Sequence, residues 1–155
     1  SKYRGQLIQG TVHDPMAAMV GGVAGHAGLF GNAHSLAVLL QMNLWKGAYA
    51  GKQYFKSSTI EEFTKLASLS GNRALGWVKS KQDPQSNVVS PNASPDSYGH
   101  TGFTGNVVWL DPKEELIFIF LSNRVHPNAE NNRLNSHMTR RKIHDLIYQA
   151  IEPTI

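Results

Sequence analysis

No cysteine occurs among the 155 residues. Its absence excludes a disulfide framework, a thiolate nucleophile and any metal site built on sulfur, and it leaves the redox compartment unread. No apolar run approaches the ~18 residues that a membrane-spanning helix needs, so no transmembrane segment is expected. The opening SKYRGQLIQG also lacks the apolar core of a secretory signal. The chain is therefore read as cytosolic or as having lost a targeting segment. Only 17% of residues are charged, and the formal charge of +4 comes largely from Arg124, Arg133, Arg140, Arg141 and Lys142. These lack the aromatic and glycine-arginine companions of a nucleic-acid surface, so a solvated helix face is expected and nucleic acid is not expected as a partner.

With 41% hydrophobic residues the chain can bury a real core, enough for one globular domain or one piece of it. Glycine is concentrated early, with six glycines from Gly10 to Gly31 and the run 21-GGVAGHAGLFG-31. That density predicts a packed, non-repetitive loop region over 1–31, where backbone passes close to backbone.

Helices are expected over 32–70. Asn32 is a candidate cap for a helix from Ala33 in which Leu36, Leu39, Leu40 and Leu44 share a face, ended by Gly47 or Gly51. Ser58 and Glu61 have capping-box spacing before Ile60, Phe63, Leu66 and Ala67. Sheet strands are expected over 74–123, beginning with 74-ALGWVKS-80 and a polar loop from Lys81 to Pro95. Two long extended runs follow, 98–110 and 115–123, joined into a hairpin at Asp111-Pro-Lys-Glu114. The arm 116-LIFIFL-121 is apolar on both faces, which predicts a strand in the middle of a sheet with helices over both sides. A closing helix over 136–151 is expected to turn Met138, Ile143, Leu146, Ile147 and Ile151 inward. Only about three strands can be found, so an α+β fold built from an antiparallel sheet flanked by helices is expected, as the second part of a larger domain.

The candidate chemistry lies in 97-SYGHTGFTG-105, where two small-residue triplets interrupt an extended run. Glycine there removes the side-chain wall, so a ligand can lie along the strand beside an imidazole and a hydroxyl. By the residues alone, a bulge with a satisfied histidine is the favoured reading, and a glycine-flanked His-Thr pair is weak evidence for a site. His13, Asp14 and His26 are expected to make structural hydrogen bonds, and His137 and His144, seven apart on one helix face, lack a third partner for a metal. No metal is expected. Trp45, Trp77 and Trp109 are read as core, with Trp77 or Trp109 also placed to border a cleft.

The runs 12-VHDPMAAMVGGVAGHAGLFGNAHSLA-37, 75-LGW-77, 99-GHTGFTGNVVWLDP-112 and 116-LIFIFLSNR-124 resemble the serine β-lactamase and penicillin-binding-protein-like superfamily. The likeness is to class C-like serine hydrolases, including those that follow a β-N-acetylglucosaminidase-type glycoside hydrolase in bacterial proteins. It implies that residues 1–155 are the C-terminal portion of one such domain, with the N-terminal strands and the nucleophile helix missing. Such enzymes combine a Ser-x-x-Lys helix, a Tyr-x-Asn or Ser-x-Asn loop and a Lys-Thr-Gly or His-Thr-Gly strand, and need no cofactor. By resemblance, His100 takes the lysine position, Thr101 binds substrate, Gly102 lets the acyl group lie against the strand, and the Phe103 N–H is one of two oxyanion donors.

No lysine has a serine three positions before it, and no Tyr-x-Asn occurs. Ser70-Gly-Asn72 and Ser90-Pro-Asn92 match the short loop pattern but are expected to be turns. The chain alone is therefore expected to be inactive. The resemblance implies a periplasmic or cell-envelope setting, a small-molecule or peptidoglycan-derived substrate, and the missing N-terminal part of the domain as partner. Histidine in place of lysine is mostly neutral at pH 7, which weakens the case for β-lactam hydrolysis over ester or amide hydrolysis. Three readings stay open: part of a serine hydrolase, a non-catalytic module that binds peptidoglycan or supports a glycosidase, and a piece with no function of its own. Unpaired sheet edges further predict self-association or a co-purifying upstream segment.

Overall fold

A computed structural model of the protein describes residues 4–67, 71–80 and 88–151. The chain divides after Asn32 into two compact units.

In the first unit, Asp14 caps the short helix α1 (Pro15–Met19), accepting from the Ala17 N–H at 2.7 Å, while Pro15 starts the helix where its missing N–H costs nothing. His26 Nε2 donates to the same Asp14 oxygen at 3.0 Å, which is the structural role expected of that pair. The Ala17 N–H and then His26 hold the Asp14 carboxyl below its ordinary range. Glycine is required at Gly28, where φ is +119° and a Cβ would strike the Gly22 carbonyl. The expected close backbone packing is present there.

The second unit is α+β. Helix α2 (Ala33–Leu44) ends as Gly47, at φ +90°, donates its N–H to the Met42 carbonyl at 2.8 Å. A small hairpin follows, β1 (Ala48–Tyr49) with β2 (Lys52–Gln53), which the periodicity did not predict. Helix α3 (Ser57–Thr64) starts one residue before the expected cap: Lys56 holds the N-cap position without a side-chain bond, and Ser58 lies inside the helix. It stops at Thr64, so Leu66 and Ala67 fall beyond it. Trp45, expected in the core, is 54% exposed and stacks on Tyr49.

The main sheet is antiparallel, in the order β3 (Val78–Lys79), β4 (Tyr98–Thr101), β5 (Val107–Asp111), β6 (Leu116–Phe120). The run 98–110 is not one strand. It folds back at 102–106, where the Gly102 N–H bonds the Asn106 carbonyl at 2.8 Å and Gly105 adopts φ +104°. Strand 74–80 shortens to β3 because Ala74 N–H reaches Trp77 O at 2.9 Å, closing a turn around Gly76 at φ +79°.

Alternation sorts the sheet residues into two cores. Leu110, Tyr98, Val108, Ile117 and Ile119 pack with Leu40 and Leu44 of α2. Val107, Trp109, Phe118 and Phe120 pack with Val89, Ala93 and the closing helix through Ile147 and Tyr148. Both faces of β6 are thus covered, as its apolar pattern required, but β6 lies at the edge of the sheet among the described residues and not in its middle. Residues 81–87 of the expected polar loop lie outside the described residues, and much of 88–94 is not solvated, although Asn92 is exposed. Val89, Ser90, Ala93 and Ser94 are buried there.

A short helix α4 (Arg133–Ser136) forms in the expected connection, and the expected closing helix is present as α5 (Thr139–Ile151), which starts after Met138, at φ +52°. Its buried face is Arg140, His144 and Tyr148, while Leu146 is 63% exposed, and Met138, Ile143 and Ile151 are also exposed. Hydrogen bonding chose this face. Tyr148 Oη donates to Asp111 at 2.6 Å, the Ser90 N–H donates to His144 Nδ1 at 3.3 Å, and Arg140 donates to Gly105 O and to Asn135 Oδ1. Arg140 therefore leaves the solvated cluster predicted for it, and His137 and His144 do not share a helix.

Candidate active site

Strand β4 carries the candidate residues to a point where the sheet ends. Tyr98 and Gly99 are buried, His100 and Thr101 are exposed, and pairing continues only to Thr101 opposite Val107. Burial pushes the Tyr98 hydroxyl up to about 12, and its ring packs edge-on against Trp77 at 5.3 Å, so this side chain is a foundation of the strand. Gly99 is required by packing: a Cβ there would meet the Val108 carbonyl and the Trp109 ring. Trp109 is buried, 3% exposed, and belongs to the core, as the first of its two expected roles has it.

Gly102 differs. A Cβ would come no nearer than 3.5 Å to Asn106 Cβ, which is ordinary contact, so the fold does not demand glycine there. Thr101, Gly102 and Phe103 follow one another at the exposed strand end, and Phe103 is 68% exposed with the Arg124 guanidinium 4.7 Å from its ring centroid. The turn behind them is closely bonded and packed. Ser122 N–H donates to Asn106 Oδ1 at 2.7 Å and Arg124 N–H to Thr104 O at 2.9 Å, while Gly105 leaves no room for a Cβ against Ser122 and Leu134.

His100 has both ring nitrogens engaged. Arg73 Nη1 donates to Nε2 at 3.3 Å, and Nδ1 lies 2.9 Å from the Thr101 carbonyl. Because guanidinium only donates and a carbonyl only accepts, the ring is assigned as neutral with its proton on Nδ1. Arg73 was not singled out in the sequence; it precedes β3, and the β3–β4 register brings it across from His100. A lone arginine in a turn gives no periodic or motif signal, so only the sheet pairing reveals it.

Of the remaining candidates, Ser90 is buried, accepts the Asn92 N–H at 3.0 Å and donates to Asp145, which is the turn role expected of it. Ser70 lies outside the described residues. Among the described residues no helix is long and apolar enough to cross a membrane.

The beta-lactamase family model matches residues 3–140, most of the chain. The chain belongs to the beta-lactamase family. Two curated relatives, each described as "Putative D-alanyl-D-alanine carboxypeptidase", come from Salmonella gallinarum (strain 287/91 / NCTC 13346) and Salmonella typhi. Each is 36% identical over 133 residues, 85% of this chain and 31% of the relative. A solved structure described as "Putative 6-aminohexanoate-dimer hydrolase from Bacillus anthracis" matches with a TM-score of 0.51 at 22% identity, over 79% of this chain and 31% of that one, a likeness of fold alone. This beta-lactamase-family chain spans about a third, 31%, of the length of the curated relatives it matches.

Proposed function

We propose that this chain is part of a serine hydrolase that cleaves ester or amide substrates through an acyl-enzyme, and that it supplies the His-Thr-Gly wall of the site. The observation that carries the reading is the end of β4, where exposed His100, Thr101 and Gly102 stand on a buried, over-determined base of Tyr98 and Gly99. Gly102 is the one residue of the wall whose missing side chain the fold does not explain, and an acyl group lying along the strand explains it.

In this reading residues 1–155 form one portion of the domain, and a serine and its lysine base come from a preceding part of the longer protein. The serine oxygen attacks the substrate carbonyl, its proton passes to the lysine, and the negative charge that develops on the carbonyl oxygen is met by the Phe103 N–H and the serine's own N–H. Thr101 holds the substrate. His100 stands where related enzymes carry a lysine, and Arg73, at 3.3 Å, returns to that place the fixed positive charge that a neutral imidazole lacks. The protein would act in the periplasm or cell envelope without a cofactor. The names of the Salmonella relatives support a peptide ending in D-alanine as the first substrate to test.

The test uses the longer protein and a chromogenic ester. His100→Ala is expected to lower turnover at least tenfold with folding intact, and Arg73→Gln to lower it less. Unchanged turnover in His100→Ala would overturn the wall assignment in favour of a non-catalytic module that binds a peptidoglycan-like ligand or supports a glycosidase. The 155-residue chain alone should take no label from a fluorophosphonate probe.

A further inference from the structure

An open surface cavity of about 430 Å³ lies between residues 122–124, just past the end of β6, and the segment 131–139. Arg124, Arg133 and His137 line it together with Ser122, Asn131 and Thr139, and no Asp or Glu is among its described lining residues. Arg124 is held by two fixed contacts, its Nη1 on the Ala129 carbonyl at 3.2 Å and its guanidinium over the Phe103 ring.

Behind this wall stands Arg140, only 5% exposed. It donates to Gly105 O at 3.3 Å and to Asn135 Oδ1 at 2.6 Å, but its Nε is buried with no hydrogen-bond partner. A buried guanidinium ordinarily has a carboxylate beside it, because desolvating the charge costs several kcal/mol. The ion pairs found among the described residues are His26–Asp14, Lys46–Glu61 and Lys113–Glu114, and none involves Arg124, Arg133 or Arg140. Burial, and then the nearness of Arg124, lowers the Arg140 pKa, which is the expected result of positive charge gathered without compensation.

We infer that this cavity binds a compact oxyanion, a carboxylate or a phosphate group, with Arg124 and Arg133 as its charged donors and Ser122, Asn131, His137 and Thr139 as polar partners. The site is distinct from the wall residues His100 to Gly102. It adjoins them through the 103–106 turn, to which Ser122 and Arg124 are hydrogen-bonded.

Equilibrium binding to the longer protein that carries this chain tests it without recourse to catalysis. Inorganic phosphate and N-acetylglycine are titrated separately at constant ionic strength while the His137 ring and the backbone of 122–124 and 131–139 are followed by nuclear magnetic resonance. Saturable shifts with at least one of the two probes are expected, the tighter probe identifying phosphate or carboxylate as the group preferred. Arg124→Gln combined with Arg133→Gln should weaken binding at least tenfold, and Arg133→Lys alone should retain most of it. Shifts that grow linearly without saturating, or the same affinity in the double variant, would overturn the site. Both substituted side chains reach solvent, and the dispersed spectrum of each variant confirms that it is folded.

Discussion

At the scale of single residues, the four glycines of 99–105 and 28 look alike in the sequence and are not alike in space. Gly28 and Gly105 carry positive φ and tight surroundings, Gly99 is squeezed against Trp109, and only Gly102 is unconstrained by its own fold. Gly99→Ala should therefore destabilise the protein by about 1–3 kcal/mol, the usual cost of overpacking. Gly102→Ala should change stability by no more than about 0.5 kcal/mol, as surface substitutions do. In the longer protein it should nevertheless lower ester turnover at least tenfold. Chemical denaturation of the two variants with parallel turnover assays checks both, and a turnover loss in Gly102→Ala matched by unfolding would remove the glycine from the site. As candidates, His100, Thr101 and Gly102 stood out in the sequence because the triplet is contiguous. Arg73 did not, because 27 residues separate it from His100 and the contact exists only once β3 pairs with β4.

At the scale of elements, α5 shows how polar bonds override an apolar stripe. The helix presents Ile143, Leu146 and Ile151 as readily as Arg140, His144 and Tyr148, but the second set reaches buried partners and the first does not. Asp111 is the hub, accepting from Ser94 N at 2.8 Å, Ser94 Oγ at 2.6 Å, Tyr148 Oη at 2.6 Å and Lys113 N at 3.1 Å. Burial opposes its ionisation, and these bonds outweigh burial to hold the carboxyl below its ordinary value. The pKa of His144, stacked on Phe118 at 4.5 Å, is also lowered, here by burial itself, to about 4. The unfolded chain protonates this histidine near ~6.5 and the folded one only near 4, so its contribution is full above pH ~6.5 and is lost as pH falls toward 4. The loss is on the order of 3 kcal/mol. Asp111 adds a second loss below its own unfolded value. Melting temperatures measured from pH 7 to pH 4.5 should fall in the natural protein and fall much less in His144→Asn, which keeps an acceptor for the Ser90 N–H; parallel curves would show that His144 is not the titrating group.

At the scale of the whole molecule, the sheet order β3-β4-β5-β6 leaves β6 with one paired side among the described residues, although its sequence, LIFIF, is that of a strand enclosed on both faces. Helices cover those faces, so what remains open is the hydrogen-bonding edge. Light scattering of the isolated chain is expected to give a mass above the 17.1 kDa monomer, or the upstream segment should co-purify with it. A clean monomer would show that this edge is blocked from within. The sequence by itself determined the α+β class, the two covered faces of the sheet, the hairpin at Asp111-Pro-Lys-Glu114 and the family, because each rests on local periodicity or a contiguous motif. Only the tertiary structure decided that 98–110 folds back on itself, which face of α5 is buried, and that Arg73 meets His100. Those outcomes depend on which distant donor finds which acceptor, and sequence spacing carries no record of that pairing.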